Sequence, residues 1–145
     1  MAAIEAVTDL ILETFRLNGR LLEAGDELVG PLGLTSARWQ VLGAIDTSQV
    51  PLPVAHIARN MGLSRQSVQR LANEMQKDGL VRFEPNPHHE RAKFVVMTDR
   101  GRAAFRSAMA KQRRWAENLV AGFSVDAIGD TARVLRQLRQ KLEKG

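Results

Sequence analysis

Between Pro53 and Thr98 the chain carries a run of punctuating residues that leaves few ways to fold it. Pro53 opens a first short helix, Pro53 to Asn60, at a position where a missing N–H costs nothing, and Val54, Ile57 and Met61 recur at helical spacing. Gly62 ends it, because a residue without Cβ takes up the left-handed conformation required there at little cost. Ser64 is placed to cap a second helix, Ser64 to Lys77, by accepting a backbone N–H bond. Gly79 closes that helix, Leu80 to Glu84 alternates apolar and polar until Pro85, and Ala92 to Met97 is rich in strand formers. Two helices joined by a tight turn and followed by a β-hairpin from Leu80 to Met97 make a winged helix-turn-helix, a shape that reaches DNA.

The second helix divides into two faces. Val68, Leu71, Ala72 and Met75 fall at i, i+3, i+4 and i+7, which commits one stripe to a core. Arg65, Gln66, Gln69, Arg70 and Asn73 are left outside, with Ser64 and Ser67 at the leading turn. These residue types suit a groove: Arg grips guanine O6 and N7, Gln and Asn pair with adenine N6 and N7, and Arg also takes a phosphate. An ordinary solvated helix face also carries Arg and Gln, but it usually carries Lys and Glu as well, and neither occurs from Ser64 to Asn73. The loop between the strands, Pro85 to Arg91, is too long for a two-residue turn and is stiffened by two prolines. It projects Arg91 toward whatever lies beside the second helix, and on DNA that is the minor groove, whose negative potential attracts inserted Arg. Arg82, His89 and Lys93 are further candidate DNA contacts on the same hairpin.

The run Gly62-Leu63-Ser64-Arg65-Gln66-Ser67-Val68, then Lys77-Asp78-Gly79-Leu80-Val81, then Glu90-Arg91-Ala92-Lys93 leading to Met97-Thr98-Asp99-Arg100-Gly101, resembles the multiple antibiotic resistance regulator (MarR) family. The likeness extends along the whole chain. It implies a dimeric bacterial repressor or activator that binds double-stranded DNA and is often relieved by small aromatic acids. Two departures from the family pattern stand out. His89 occupies the place, two residues before the minor-groove Arg, where the family usually has an Asp that orients it, so Arg91 is expected to be less firmly held. Phe83 stands where the family often has Arg, with Arg82 beside it.

The distribution of charge agrees with a polyanionic partner. Residues 1–58 hold 3 basic and 7 acidic side chains, residues 59–114 hold 13 and 5, and the rest 5 and 4. The net charge of +5 is therefore concentrated on the helix-turn-helix, the hairpin and the helix after it. Arg100 and Arg102, at the start of that helix, lie near enough to the wing for phosphate contact. The 145 residues fit one compact domain, 1–145, which would bury on the order of 70% of its unfolded surface. Zero cysteines exclude disulfides and thiol-based sensing. With no apolar run of about 18 residues and no secretory signal pattern, the expectation is a cytoplasmic protein without membrane attachment. No catalytic constellation is evident: Ser64 and Ser67 lack a paired base, and His88, His89 and Glu90 are adjacent loop residues with no further ligand in view. Neither an enzyme nor a cofactor or metal is expected.

The flanking segments read as helices. Ile4, Val7, Ile11, Phe15, Leu22 and Leu28 mark a first helix of roughly 25 residues, about 38 Å long. Gly30-Pro31 stops it, and Gly19 and Gly25 inside it predict a kink or a close helix crossing. A second helix starts after Thr35 and buries Trp39, Leu42 and Ile45. After the wing, Thr98 caps a long helix to about Ala121, and a last one runs from about Val125 to Lys144 with Ile128, Leu135, Leu138 and Leu142 on one stripe. The reading is a mainly α chain with a small β-hairpin. Residues 34–100 form the DNA-binding lobe, and residues 1–30 and 101–145 form helices that bury their apolar faces against a second copy as a homodimer. The resemblance further implies an effector pocket between these parts, where Arg16, Arg38 and Trp39 combine cation and aromatic in a way suited to an aromatic carboxylate, although ordinary helix packing also accounts for Trp39. The expected function is a ligand-responsive repressor on a pseudo-palindromic operator. The alternative is a winged helix used for protein–protein contact, which calls for apolar residues on the outer face of the second helix.

Overall fold

The computed structural model describes residues 2–144. Helix α1 (Ala3–Val29) is continuous for 27 residues and passes through a 3-10 turn (Gly30–Leu32) into Gly33, whose φ of 77° places it in the left-handed region. Pro31 lies inside that turn, where its fixed φ suits a helical start. Of the two glycines expected to mark a crossing, Gly25 does: a Cβ there would overlap Ser36 Oγ, so only glycine lets α1 and α2 (Ser36–Thr47) meet at this point. Gly19 has nothing within 4 Å of such a Cβ and marks no crossing. Ser36 is buried, and it is satisfied by donating from Oγ to Leu22 O at 2.8 Å and from its backbone N to Asp26 Oδ1 at 2.7 Å. Thr35 caps α2, accepting from Arg38 N at 3.2 Å. Within α2, Leu42 is fully buried together with Val41, which the spacing argument had not selected, while Trp39 and Ile45 are half-buried against the same core.

The central punctuation is read out with small shifts. Pro53 is the N-cap of α3 (Val54–Met61) rather than its first residue, because its carbonyl side is still extended (ψ 162°) and it pairs with Phe94. Leu52 and Pro53 thus form a short strand, β1, which was not expected. Gly62, at φ 67°, closes α3, and Ser64 caps α4 (Arg65–Lys77) by accepting from Ser67 N at 3.1 Å. The hairpin consists of β2 (Val81–Glu84) and β3 (Phe94–Met97), antiparallel with Val81 opposite Met97 and Glu84 opposite Phe94. β1 pairs on the other side of β3, so the sheet has three strands in the order β1-β3-β2. The return strand begins at Phe94 and not at Ala92, because Ala92 is held in the loop.

Leu42, Ile57, Val68, Met75, Val81 and Val95 are fully buried, so α2, α3, α4 and the sheet share one core. Each such side chain contributes about 1.5–3 kcal/mol on burial, enough to hold the lobe and fix which face of α4 is turned outward. α5 (Asp99–Val120) starts at Thr98, whose Oγ1 accepts from Gly101 N at 3.0 Å. The same hydroxyl donates to Gly79 O at 2.6 Å, with Leu80 O at 3.0 Å, which ties the start of α5 to the root of the hairpin. Gly101 is obligatory here, since a Cβ would run into the Leu80 carbonyl oxygen.

The chain divides into two compact units between Gln112 and Arg113. In the second unit Gly122, at φ 86°, breaks the helix, Ser124 Oγ accepts from Ala127 N at 3.2 Å, and α6 (Val125–Lys144) follows. Among the described residues no helix is long and apolar enough to cross a membrane. The architecture is mainly helical, as the sequence indicated, with the small sheet set in the first unit.

Candidate nucleic-acid interface

The face of α4 opposite the core presents Arg65, Gln66, Gln69, Arg70 and Asn73, every one exposed. Val68, Ala72 and Met75 on the other side are fully buried, so the helix cannot rotate to hide this polar face without emptying the core. Gln69 Nε2 donates to Asn73 Oδ1 at 3.0 Å, which lines up two amides one turn apart. Ser64 and Ser67, although exposed, are occupied locally: Ser64 Oγ accepts from Ser67 N and donates to Ser67 Oγ at 2.8 Å. Their hydroxyls form the cap, and the first-turn backbone N–H groups of Arg65 and Gln66 make no hydrogen bond to protein among the described residues, at the positive end of the helix dipole.

The wing is organised by a residue that the motif reading passed over. Asn86 Oδ1 accepts from His88 N at 3.0 Å, Asn86 Nδ2 donates to Ala92 O at 2.9 Å, and the Asn86 carbonyl accepts from His89 N at 3.1 Å. Ala92 N donates in turn to His89 O at 3.1 Å, so the tip closes on itself around one partly buried side chain. An Asn between two prolines is a strong turn former, and that signal was available in the sequence. His89 therefore contributes backbone to the wing, and the backbone that carries Arg91 is held by Asn86. Arg91 and Lys93 are exposed, and among the described residues neither pairs with a carboxylate. Arg82 is different: its Nε and Nη2 both donate to Glu84 Oε1, at 3.1 and 2.9 Å, so it reaches a phosphate only by giving up that pair.

The three residues suggested for an effector are not gathered around one hollow. Arg16 lies exposed on α1 with Nη1 2.6 Å from Glu13 Oε1. Arg38, with its side chain only 18% exposed, binds Asp78 Oδ2 through Nη1 at 2.8 Å and lines an open hollow of about 490 Å³. Neither Arg16 nor Trp39 is in the wall of that hollow, and Trp39 packs against the core.

A MarR family model matches residues 32–92. The Mycobacterium tuberculosis protein Rv2011c is 35% identical over 98 residues, covering 68% of this chain and 67% of that one. The transcriptional activatory protein BadR of Rhodopseudomonas palustris is 27% identical over 146 residues, covering 99% of this chain and 83% of its own length. Among solved structures, M. tuberculosis MosR in complex with DNA superposes with a TM-score of 0.76 at 27% identity, covering 92% of this chain and 96% of MosR. CouR from Rhodococcus jostii RHA1, bound to p-coumaroyl-CoA, shares the fold with a TM-score of 0.80 at 22% identity, over 90% of this chain and 92% of its own. Together with the helix-turn-helix and its wing, these likenesses place the chain in the MarR family of winged helix-turn-helix transcription regulators.

Proposed function

We propose that the chain acts in the cytoplasm as a homodimer on a pseudo-palindromic operator, reading bases with α4 and gripping the flanking minor grooves with its wings. The observation that carries this is the exposed, amide-rich and cationic outer face of α4 beside a wing that presents Arg91 and Lys93. Residues 34–100 supply the DNA-binding lobe. Residues 1–30 and 101–145 supply the dimer helices, of which residues 1 and 145 lie outside the described residues. Two-fold symmetry sets the recognition helices about 34 Å apart, one turn of DNA. MosR, solved with DNA, supports the assignment of the partner. The test is to incubate the purified protein with fragmented genomic DNA and sequence what it retains. An inverted repeat with half-site centres about 10 base pairs apart is expected, and retained fragments sharing no motif would refute the proposal.

We read the regulation as repression relieved by a small aromatic acid. BadR is by name an activatory protein, so the sign needs its own measurement: a reporter carrying the retained operator should rise when the regulator is deleted, and a fall would reverse the assignment. CouR, bound to an aromatic acyl thioester, supports an aromatic ligand. Of Arg16, Arg38 and Trp39, we assign Arg16 to its carboxylate, which would exchange for Glu13 on the guanidinium; Arg38 lines a polar hollow without Arg16, and Trp39 packs against the core, so neither joins Arg16 in one site. If no aromatic acid weakens operator binding at millimolar concentration, or if Arg16→Ala responds like the parent, that assignment is wrong.

A further inference from the structure

The hollow bounded by Leu32, Gly33, Arg38, Lys77, Asp78, Gly79, Leu80 and Arg100 joins the start of α2, the end of α4 and the start of α5. Its volume of about 490 Å³ is that of a small-molecule site, yet leucines 32 and 80 are its only apolar side chains. Three cations face one carboxylate. Asp78 is taken by Arg38 Nη1, and Nε and Nη2 of Arg38 make no hydrogen bond to protein among the described residues. No buried side-chain nitrogen there is left without a partner, so these donors reach solvent, on a residue that lines the hollow. Lys77 and Arg100 pair with no carboxylate among the described residues. Gly79 leaves the floor open: a Cβ on it would stand 3.7 Å from Arg100 Nη1, so the guanidinium lies over bare backbone. The dipoles of the two long helices nearly cancel, α4 ending here with about half a negative charge and α5 beginning with about half a positive one. The side-chain excess of two positive charges is what remains.

We propose that this hollow binds a compact, hydrophilic anion carrying at least two negative charges, held by Arg38, Lys77 and Arg100. An aromatic acid does not fit the description, because the wall offers little apolar surface. The site has a direct route to the DNA-binding helix. An anion that draws Arg38 away from Asp78 removes the ion pair between α2 and the end of α4, and so shifts the population of α4 orientations by as much as it prefers the unclasped state. This consequence, unlike the binding itself, rests on reading α4 as the recognition helix.

The probe is pyrophosphate, titrated against the full-length protein by calorimetry at constant ionic strength, with chloride as the reference. Arg38 is largely buried and its loss risks the fold, so the variant is Lys77→Gln/Arg100→Gln. Saturable binding to the parent is expected, weakened roughly tenfold or more in the variant, as for loss of charged hydrogen-bond donors. Arg106→Gln/Lys111→Gln, which removes the same charge from the exposed surface of α5, should bind like the parent. No saturable binding, or equal weakening in both double variants, overturns the proposal. The second arm measures affinity for the retained DNA at several salt concentrations. A reduced salt slope for Lys77→Gln/Arg100→Gln would make these cations DNA phosphate contacts and also overturn it. Calorimetric binding to the parent together with no DNA retention would instead leave the hollow intact and remove the regulator reading.

Discussion

Asn86 shows how one side chain decides whether a charged residue is useful. Among the described residues the Arg91 guanidinium pairs with no carboxylate, so its position depends on the backbone beneath it, and two hydrogen bonds of the Asn86 side chain, with a third to its carbonyl, close that loop. Asn86→Ala should therefore weaken DNA binding by a fraction of what Arg91→Ala costs, and the two should be far from additive. Once Arg91 is gone, loosening the loop has nothing left to misplace. A double-mutant cycle on retained DNA checks this, and strict additivity would show that Asn86 does not act through Arg91. Gly101 makes the same point through sterics. Its Cβ would meet the Leu80 carbonyl, which is fixed by Thr98 N at 3.1 Å and lies at the base of the hairpin. Gly101→Ala is expected to cost on the order of 1–3 kcal/mol in chemical denaturation, as overpacking at a rigid contact does. Unchanged stability would mean that the crossing can open.

Among the elements, α4 and the wing differ in what they can recognise. Gln66, Gln69 and Asn73 carry amides that make paired hydrogen bonds only with a matching base edge. The Gln69 to Asn73 bond that must be exchanged for a base is worth only about 0.2–0.5 kcal/mol on a helix surface, so the exchange is easily driven. Gln69→Ala should cost about 1–3 kcal/mol on the operator and relax preference at one base step, with little change on scrambled DNA. Arg91→Ala should weaken both DNAs and lower the salt slope by roughly one charge. Titrations of both DNAs at several salt concentrations separate the two, and equal losses for both variants on both DNAs would dissolve this division of labour. Most of this geometry was legible beforehand, because caps, left-handed glycines and the i, i+3, i+4 stripe are local rules that α4 obeys throughout. β1 was not, since two residues including a proline give no alternation to read, and the strand exists only because β3 passes alongside. Nor could spacing reveal that Arg38 reaches Asp78, 40 residues away, or that Thr98 serves both the α5 cap and the hairpin root. Those bonds depend on which elements pack together, and the sequence names the elements without their distances.

For the whole molecule the open account is the apolar surface left at both chain ends. On α1, Ile4 is 78% exposed and Phe15 71%; on and beside α6, Phe123, Val125 and Leu142 are 67%, 80% and 83% exposed. Scattered exposed leucines are ordinary on a monomer, but helices that keep their largest apolar residues in water for several turns point to a partner. A second copy is the partner whose two-fold symmetry would also pair the recognition helices, so a single contact would satisfy both requirements. A stable dimer of this kind buries at least about 1,000 Å². Placing a charge within it should be severe, because an uncompensated carboxylate would have to be desolvated on association. Phe15→Glu is therefore expected to shift the protein from dimer to monomer in light scattering at micromolar concentration, and with it to lose affinity for the inverted repeat while retaining weak binding to a half-site. Deleting residues 124–145 should remove one side of the proposed interface and lower solubility. A parent protein that is monomeric at micromolar concentration, or a Phe15→Glu variant that stays dimeric and binds the full repeat as tightly as the parent, would remove α1 from the interface and with it the proposed spacing of the two α4 helices.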